Sequence, residues 1–414
     1  MIIHNAKQVV CISNSYQKFK TSNEMKDLCL MQNTSIVVEN GLITDIGSPQ
    51  EILNKHSSKN LRKVDATNKC VLPGLVDAHT HPVFSGDRVH EFAMKLEGRS
   101  YIEIHQAGGG IMFTMNSVKE TPEEELYELL IPRLDRMLKL GTTLIEAKSG
   151  YGIDLESEIK MLKVLHKANQ EHKITVVSTF LPAHAVVPGK TASQMADEIA
   201  ETYIPQIADL KQQGVIDPTM IDIFCEKGIF EAEDTKKILN AGLKHGLVGN
   251  FHGDELNPIN SGILAAETSS RAVSHLEHLS AEDISAMALH STVGVLLPTT
   301  QYILHLKVPP AREMLDQGVP VALGSDFNPN AWCLSMPLVM HLACVNYRFS
   351  MNEALVASTL NAAASMGVSD KYGSIEVGKA ADLLILDAPR WEHLIYQMVD
   401  PPISAVIKAG EILN

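Results

Sequence analysis

The chain has 414 residues, 49 acidic against 35 basic, with a formal net charge of −14, 45% hydrophobic and 20% charged residues. That is a globular composition, neither disordered nor fibrous. The negative balance argues against nucleic acid as a partner, since phosphates require a basic face. The 17 histidines are the number that needs explaining.

The opening stretch, MIIHNAKQVV, lacks a basic segment followed by a long apolar run, so a secretory signal is not expected. No window approaches the ~18 apolar residues of a membrane helix. Six cysteines (Cys11, Cys29, Cys70, Cys225, Cys333, Cys344) are scattered without a C-x-x-C pair. Reduced thiols in a cytoplasmic protein are expected, and metal chemistry falls to histidine and carboxylates.

In chain order, Ile36-Val37-Val38 and Leu42-Ile43 flank Asn40-Gly41, a strong hairpin signal. Thr121-Pro122-Glu123-Glu124 reads as a capping box with Pro at the first helical position. Leu126, Leu129, Leu130, Leu134, Met137 and Leu138 then follow at helical spacing. Strand candidates at 75–78, 142–145, 174–177, 220–224, 247–251, 271–274, 292–297 and 319–323 are mostly separated by helix-length segments, among them 155–171, 232–245, 280–290 and 311–317. Alternating βα units imply parallel strands, and eight of them imply a (β/α)8 barrel over residues 74–373. The open doubly wound sheet is the alternative, but no G-x-G-x-x-G opens a helix. Apolar runs 383–386 and 405–407, with turn residues after each, make the far end β-rich again. Residues 1–73 and 374–414 are therefore expected to form one small β domain built from both chain ends.

A barrel places its active site at the carboxyl ends of its strands. The first strand ends His79-Thr80-His81, and residues i and i+2 of an extended chain share a face. The pair reads either as two ligands of one metal or as a surface turn. The fifth strand ends His252-Gly253-Asp254-Glu255 and the eighth Ser325-Asp326-Phe327-Asn328. Three histidines and one aspartate at strand ends form a mononuclear set suited to zinc or iron. Such an ion lowers the pKa of water to roughly 7, and Glu255 is the candidate that moves the protons. The sixth strand ends Ser274-His275-Leu276-Glu277-His278, of which one histidine assists the carbonyl under attack.

The run Gly74-Leu75-Val76-Asp77-Ala78-His79-Thr80-His81, with His252, His275 and Asp326, resembles the amidohydrolase superfamily over essentially the whole chain. Within it, Tyr101-Ile102-Glu103-Ile104 with Gly108-Gly109-Gly110, Lys148-Ser149-Gly150-Tyr151-Gly152, Leu181-Pro182-Ala183-His184 and Gly324 to Pro329 resemble the branch that opens an imidazolone ring in histidine degradation. The tail Arg390 to Tyr396 is similar to the animal type. The resemblance implies His79, His81, His252 and Asp326 as ligands of one Zn2+ or Fe3+ per subunit, with Asp326 also catalytic beside Glu255 and His275. It implies a small β-sandwich formed by residues 1–73 and 374–414, substrate contacts from Arg88, Tyr101, Tyr151, His184, Glu255 and Asn328, and a cytoplasmic homodimer. Its substrate, 4-imidazolone-5-propanoate, carries a carboxylate that Arg88 is placed to grip bidentately. After Asn328-Pro329 the chain has Asn330-Ala331, where bacterial-type relatives tend to have Gly followed by Ser or Thr. The superfamily pattern favours His275, whereas counting from Ser274 favours His278.

Two other features carry less. The three glycines 108–110 follow no strand and lack the Lys-Ser/Thr of a phosphate loop, so they read as a flexible active-site loop. Lys148 closes the second strand rather than the fourth, where a metal-bridging carboxylated lysine belongs. The rival readings are a deaminase of a purine- or pyrimidine-like ring, and a catalytically silent scaffold barrel.

Overall fold

The computed structural model describes residues 1–99, 103, 109–152 and 154–413. Tyr101, Ile102, Ile104 and Gly108, named above, lie outside them. The amino-terminal part contributes β1 (Ile2–Val10), β2 (Leu30–Glu39), β3 (Leu42–Gly47), β4 (Lys63–Asp65) and β5 (Cys70–Pro73). The barrel follows as β6 (Leu75–Thr80), β7 (Thr142–Lys148), β8 (Thr175–Ala183), β9 (Pro218–Cys225), β10 (Val248–Gly253), β11 (Ala272–His275), β12 (Val293–Leu296) and β13 (Val321–Leu323). The chain returns to the first layer in β14 (Leu383–Leu386), β15 (Ile403–Lys408) and β16 (Glu411–Leu413).

Both chain ends build one mixed sheet in the order β16-β15-β14-β5-β1-β2-β3, with β4 beside β1. Strand β14 runs antiparallel to β5, so the last segment is stitched directly to the first. The expected hairpin is present: Glu39 pairs with Leu42 around Asn40 and Gly41, both at positive φ, which the twist of a two-residue hairpin requires. Ile3, Val9, Ile36, Val38, Val71, Leu383, Ile385 and Ile407 form its buried core, drawn from both termini.

The eight barrel strands pair in sequence order, all parallel. Each coincides with a run recognised in the sequence. The seam between first and last strand closes just beyond β13: Asp326 N donates to His79 O at 2.9 Å, and His81 N donates to Phe327 O at 2.8 Å. Closure thus ties His79 to Asp326 and His81 to the adjacent Phe327, bringing the end of the first strand against the segment after the last.

The two helix starts expected on the second strand's flanks differ in outcome. The helix Leu155–Glu171 is present as expected and starts where Asp154 accepts from Ser157 N at 2.9 Å as its N-cap. The capping box at Thr121 does not form. Pro122 is the N-cap of the helix Glu123–Lys139. The Thr121 hydroxyl instead donates to Ser117 O, with the Ser85 hydroxyl 2.8 Å away, closing the preceding helix Ile111–Glu120. A threonine between two helices serves whichever end its hydroxyl reaches, and here that is the earlier one. The six cysteines are all unpaired. Among the described residues no helix is long and apolar enough to cross a membrane.

Candidate metal centre and active site

The carboxyl ends of the strands converge on a cavity of about 570 Å³. His79, on β6, and His81, one residue past its end, bring their Nε2 atoms within 3.2 Å of each other. One ligand nitrogen from each of His79, His81 and His252 lies within 4.8 Å of the other two. Asp326 Oδ1 lies 3.5 Å from His79 Nε2 and 3.6 Å from His81 Nε2. Two imidazole nitrogens this close either share a proton or aim lone pairs at a common cation. Burial pushes the pKa values of all three histidines well below the usual histidine value, so the rings are neutral and their lone pairs available. Three imidazoles and a carboxylate, buried and facing inward, fit a single zinc or iron ion.

A second layer fixes the rings. His252 Nδ1–H donates to Asp222 Oδ1 at 3.0 Å, which leaves Nε2 as the lone-pair atom. Asp222 also pairs through Oδ2 with Lys148 at 2.7 Å, and Lys148 reaches Glu146 at 2.8 Å. This charged trio is fully buried. Against the pull of burial, Asp222 and Glu146 hold the Lys148 pKa above the ordinary lysine value, so the ammonium stays charged. Lys148 is thus an ion-pair partner rather than a ligand. His79 Nδ1 meets Ser274 Oγ at 2.9 Å, and Thr300 donates to Asp326 Oδ2 at 2.6 Å. Asp326 and His275 both sit at positive φ (49° and 79°), the backbone strain that gathers at functional sites.

Glu255 lines the cavity, with Oε2 3.6 Å from His275 Nε2. Burial, then Asp326 and Glu226, push its pKa up to about 8, within reach of neutral proton exchange. His275 faces the cluster, its ring centroid 5.1 Å from that of His252. His278 is only partly buried, and its backbone N–H donates to Asp254 O. Of the two, His275 is the one brought to the site.

The amidohydrolase family model matches residues 70–413. The chain belongs to the amidohydrolase family. Within that family it is 57% identical to a protein of Dictyostelium discoideum named "Probable imidazolonepropionase", over 99% of this chain and 97% of that one. A protein of the same name from Nematostella vectensis is 51% identical, covering 100% and 98%. The human one is 51% identical, covering 96% and 94%. Among solved structures, a guanine deaminase of C. acetobutylicum matches with a TM-score of 0.71 at 17% identity, covering all of both chains. A triazine hydrolase variant matches with 0.73 at 14%, covering 100% of this chain and 94% of that one. At such identities these two speak for the amidohydrolase barrel alone.

The remaining expected residues of this amidohydrolase fall as follows. Tyr151 is buried beside His81 and His184, at centroid distances of 5.8 and 5.4 Å. His184 stacks on His81 at 5.1 Å and donates Nδ1–H to Gly150 O at 2.9 Å, so its Nε2 is an acceptor. Arg88 lines the cavity, but not as a free fork. Its Nε and Nη2 grip Glu91 at 2.8 and 2.7 Å, because Glu91 is three residues on along the same helix face. Asn328 also lines the cavity, yet its side chain braces its own loop: Nδ2 donates to Asp326 O, and Oδ1 accepts from the N–H groups of Asn330 and Ala331. Of the glycine triplet, Gly109 and Gly110 are buried, and Gly110 N donates to Glu91 Oε1 at 2.9 Å.

Sequence reading passed over Asp222, Glu146, Glu91, Lys95 and Ser274. Two of them had left a signal. Asp222 is a lone acid inside the apolar run Met220–Phe224, and Glu146 follows directly on Leu144-Ile145. A buried acid in a strand interior demands a partner.

Proposed function

We propose that this amidohydrolase opens the ring amide of 4-imidazolone-5-propanoate, with water, to give N-formimidoyl-L-glutamate. The observation that carries the reading is the meeting, around one cavity, of three neutral histidines with Asp326, of Glu255, and of a basic wall in which Arg88 and Lys95 face the single carboxylate of Glu91. It agrees with the name of the relatives, which extend over nearly the whole chain.

His79, His81, His252 and Asp326 would hold the ion, one zinc or iron per subunit. When bound it supplies Lewis acidity and lowers the pKa of water to roughly 7 for zinc. Glu255 takes a proton from the attacking water and hands it to the ring nitrogen as the C–N bond breaks, so one water is added and nothing else leaves. His275 Nε2–H faces the oxygen of the carbonyl under attack. His184 Nε2 accepts from a ring N–H, and Tyr151 stands beside it with its hydroxyl. Arg88 retains Nη1 and the outer N–H of Nη2 for the propanoate, and the resemblance alone assigns Tyr101 and Asn328 to the substrate. Residues 74–373 form the catalytic domain and the two chain ends the small one. A cytoplasmic homodimer belongs to the same proposal.

A neutral purine has no group for the basic wall, which disfavours the deaminase reading. A silent scaffold has no use for four intact ligands. Metal-loaded protein incubated with imidazolone propanoate should release N-formimidoyl-L-glutamate, detectable by mass spectrometry. A full equivalent of metal without ring opening overturns the reading.

A further inference from the structure

Arg88, Glu91 and Lys95 stand at i, i+3 and i+7, hence on one face of the helix Val89–Leu96 and its N-cap, and all three line the cavity. Arg88 is neutralised locally, since Glu91 takes two of its N–H groups and is itself buried. Glu91 carries its charge: although burial opposes it, Arg88 and Gly110 N–H hold its pKa below the ordinary value. Lys95 has no carboxylate within ion-pair distance among the described residues. Its Nζ donates to Asn330 Oδ1, a neutral acceptor on the loop after β13. An ammonium has three donors, so two remain for a ligand.

We infer that Lys95 is a second carboxylate-binding residue, that it supplies the positive charge Arg88 lacks once paired, and that Asn330 holds its ammonium at the rim. The inference rests on the substrate class proposed above, a ring bearing an anionic side chain. It also gives Asn330 a definite task. Lysine is a flexible point charge. An amide bridging it to the loop fixes that charge where the helix alone would leave it to swing.

The test is binding, independent of turnover. Imidazole-4-propanoate and its neutral propanamide are titrated calorimetrically into the metal-loaded protein and into Lys95→Met, Lys95→Arg and Asn330→Ala. Loss of a charge-assisted hydrogen bond should weaken the acid by about tenfold to a hundredfold in Lys95→Met. The amide should bind as before, Lys95→Arg should recover part of the loss, and Asn330→Ala should weaken the acid by less. Equal weakening of acid and amide, or an unchanged acid, overturns the inference. Ring opening of imidazolone propanoate by the parent is followed in parallel. If the parent binds the acid selectively through Lys95 yet opens no ring, the proposed reaction fails while the Lys95 assignment stands.

Discussion

Asp222 receives the Nδ1–H of His252 and faces Lys148 with its other oxygen, at 3.0 and 2.7 Å. The carboxylate therefore does two things. It sets the tautomer that leaves His252 Nε2 as a ligand, and it balances a fully buried ammonium. Asp222→Asn keeps the shape but makes the group a neutral partner of both. Metal affinity should fall by about 10- to 100-fold, as for other residues behind a ligand histidine, measured by competition with a chelator. Lys148→Met leaves Glu146 and Asp222 buried without their cation and should cost about 3–5 kcal/mol in denaturant unfolding. Unchanged affinity in Asp222→Asn would remove Asp222 from the metal centre.

Glu255 is separable from the ligands. Glu255→Gln should lower kcat by about 10²- to 10⁴-fold, the usual worth of a positioned proton carrier, while metal content measured by mass spectrometry stays at one equivalent. Asp326→Ala should lose both. If Glu255→Gln also releases the metal, Glu255 belongs to the ligand set and another group moves the proton.

How far the sequence carries these assignments depends on whether a feature is local. All eight barrel strands were legible because each is a short apolar run bounded by turn residues. His79 and His81 were legible because alternate positions on a strand share a face. Asp222 and Lys148 were not, since what matters is their contact between β9 and β7, across the intervening β8, and only the folded barrel brings it about. The same holds for Arg88. The sequence offers a guanidinium, and the helix face beneath it supplies Glu91, which turns a free fork into a half-engaged one. Thr121 misled because the same residue can cap either of two helices.

Stability should depend on pH through Glu158. Its carboxylate is buried and accepts the N–H groups of Gly150 and Gly152 at 3.0 and 2.6 Å, which shapes the loop carrying Tyr151. Burial pushes its pKa up from 4.5 to about 8. The folded protein then keeps a proton that the unfolded chain gives up, so its contribution is fully present below about pH 4.5 and is lost as the pH rises toward about 8. Glu158→Gln cannot ionise. The melting temperature of the parent should fall relative to that variant between about pH 5 and pH 8, and parallel curves would show that Glu158 does not titrate there.

Gly324 precedes the Ser325-Asp326 pair, and a Cβ there would lie 2.8 Å from His79 Cβ and 2.9 Å from His79 N. One of these atoms is backbone, so no rotamer change relieves the clash. Relief must come from moving β6 away from the segment after β13, at the seam where Asp326 N meets His79 O. Gly324→Ala should therefore cost about 1–3 kcal/mol of stability as an overpacked site, read from denaturant unfolding. The same shift separates Asp326 from His79 and His81 at the end of β6, so metal affinity should drop along with stability. A variant that is destabilised but binds metal as tightly as the parent would mean that the seam yields elsewhere, and that the spacing of the ligands does not depend on it.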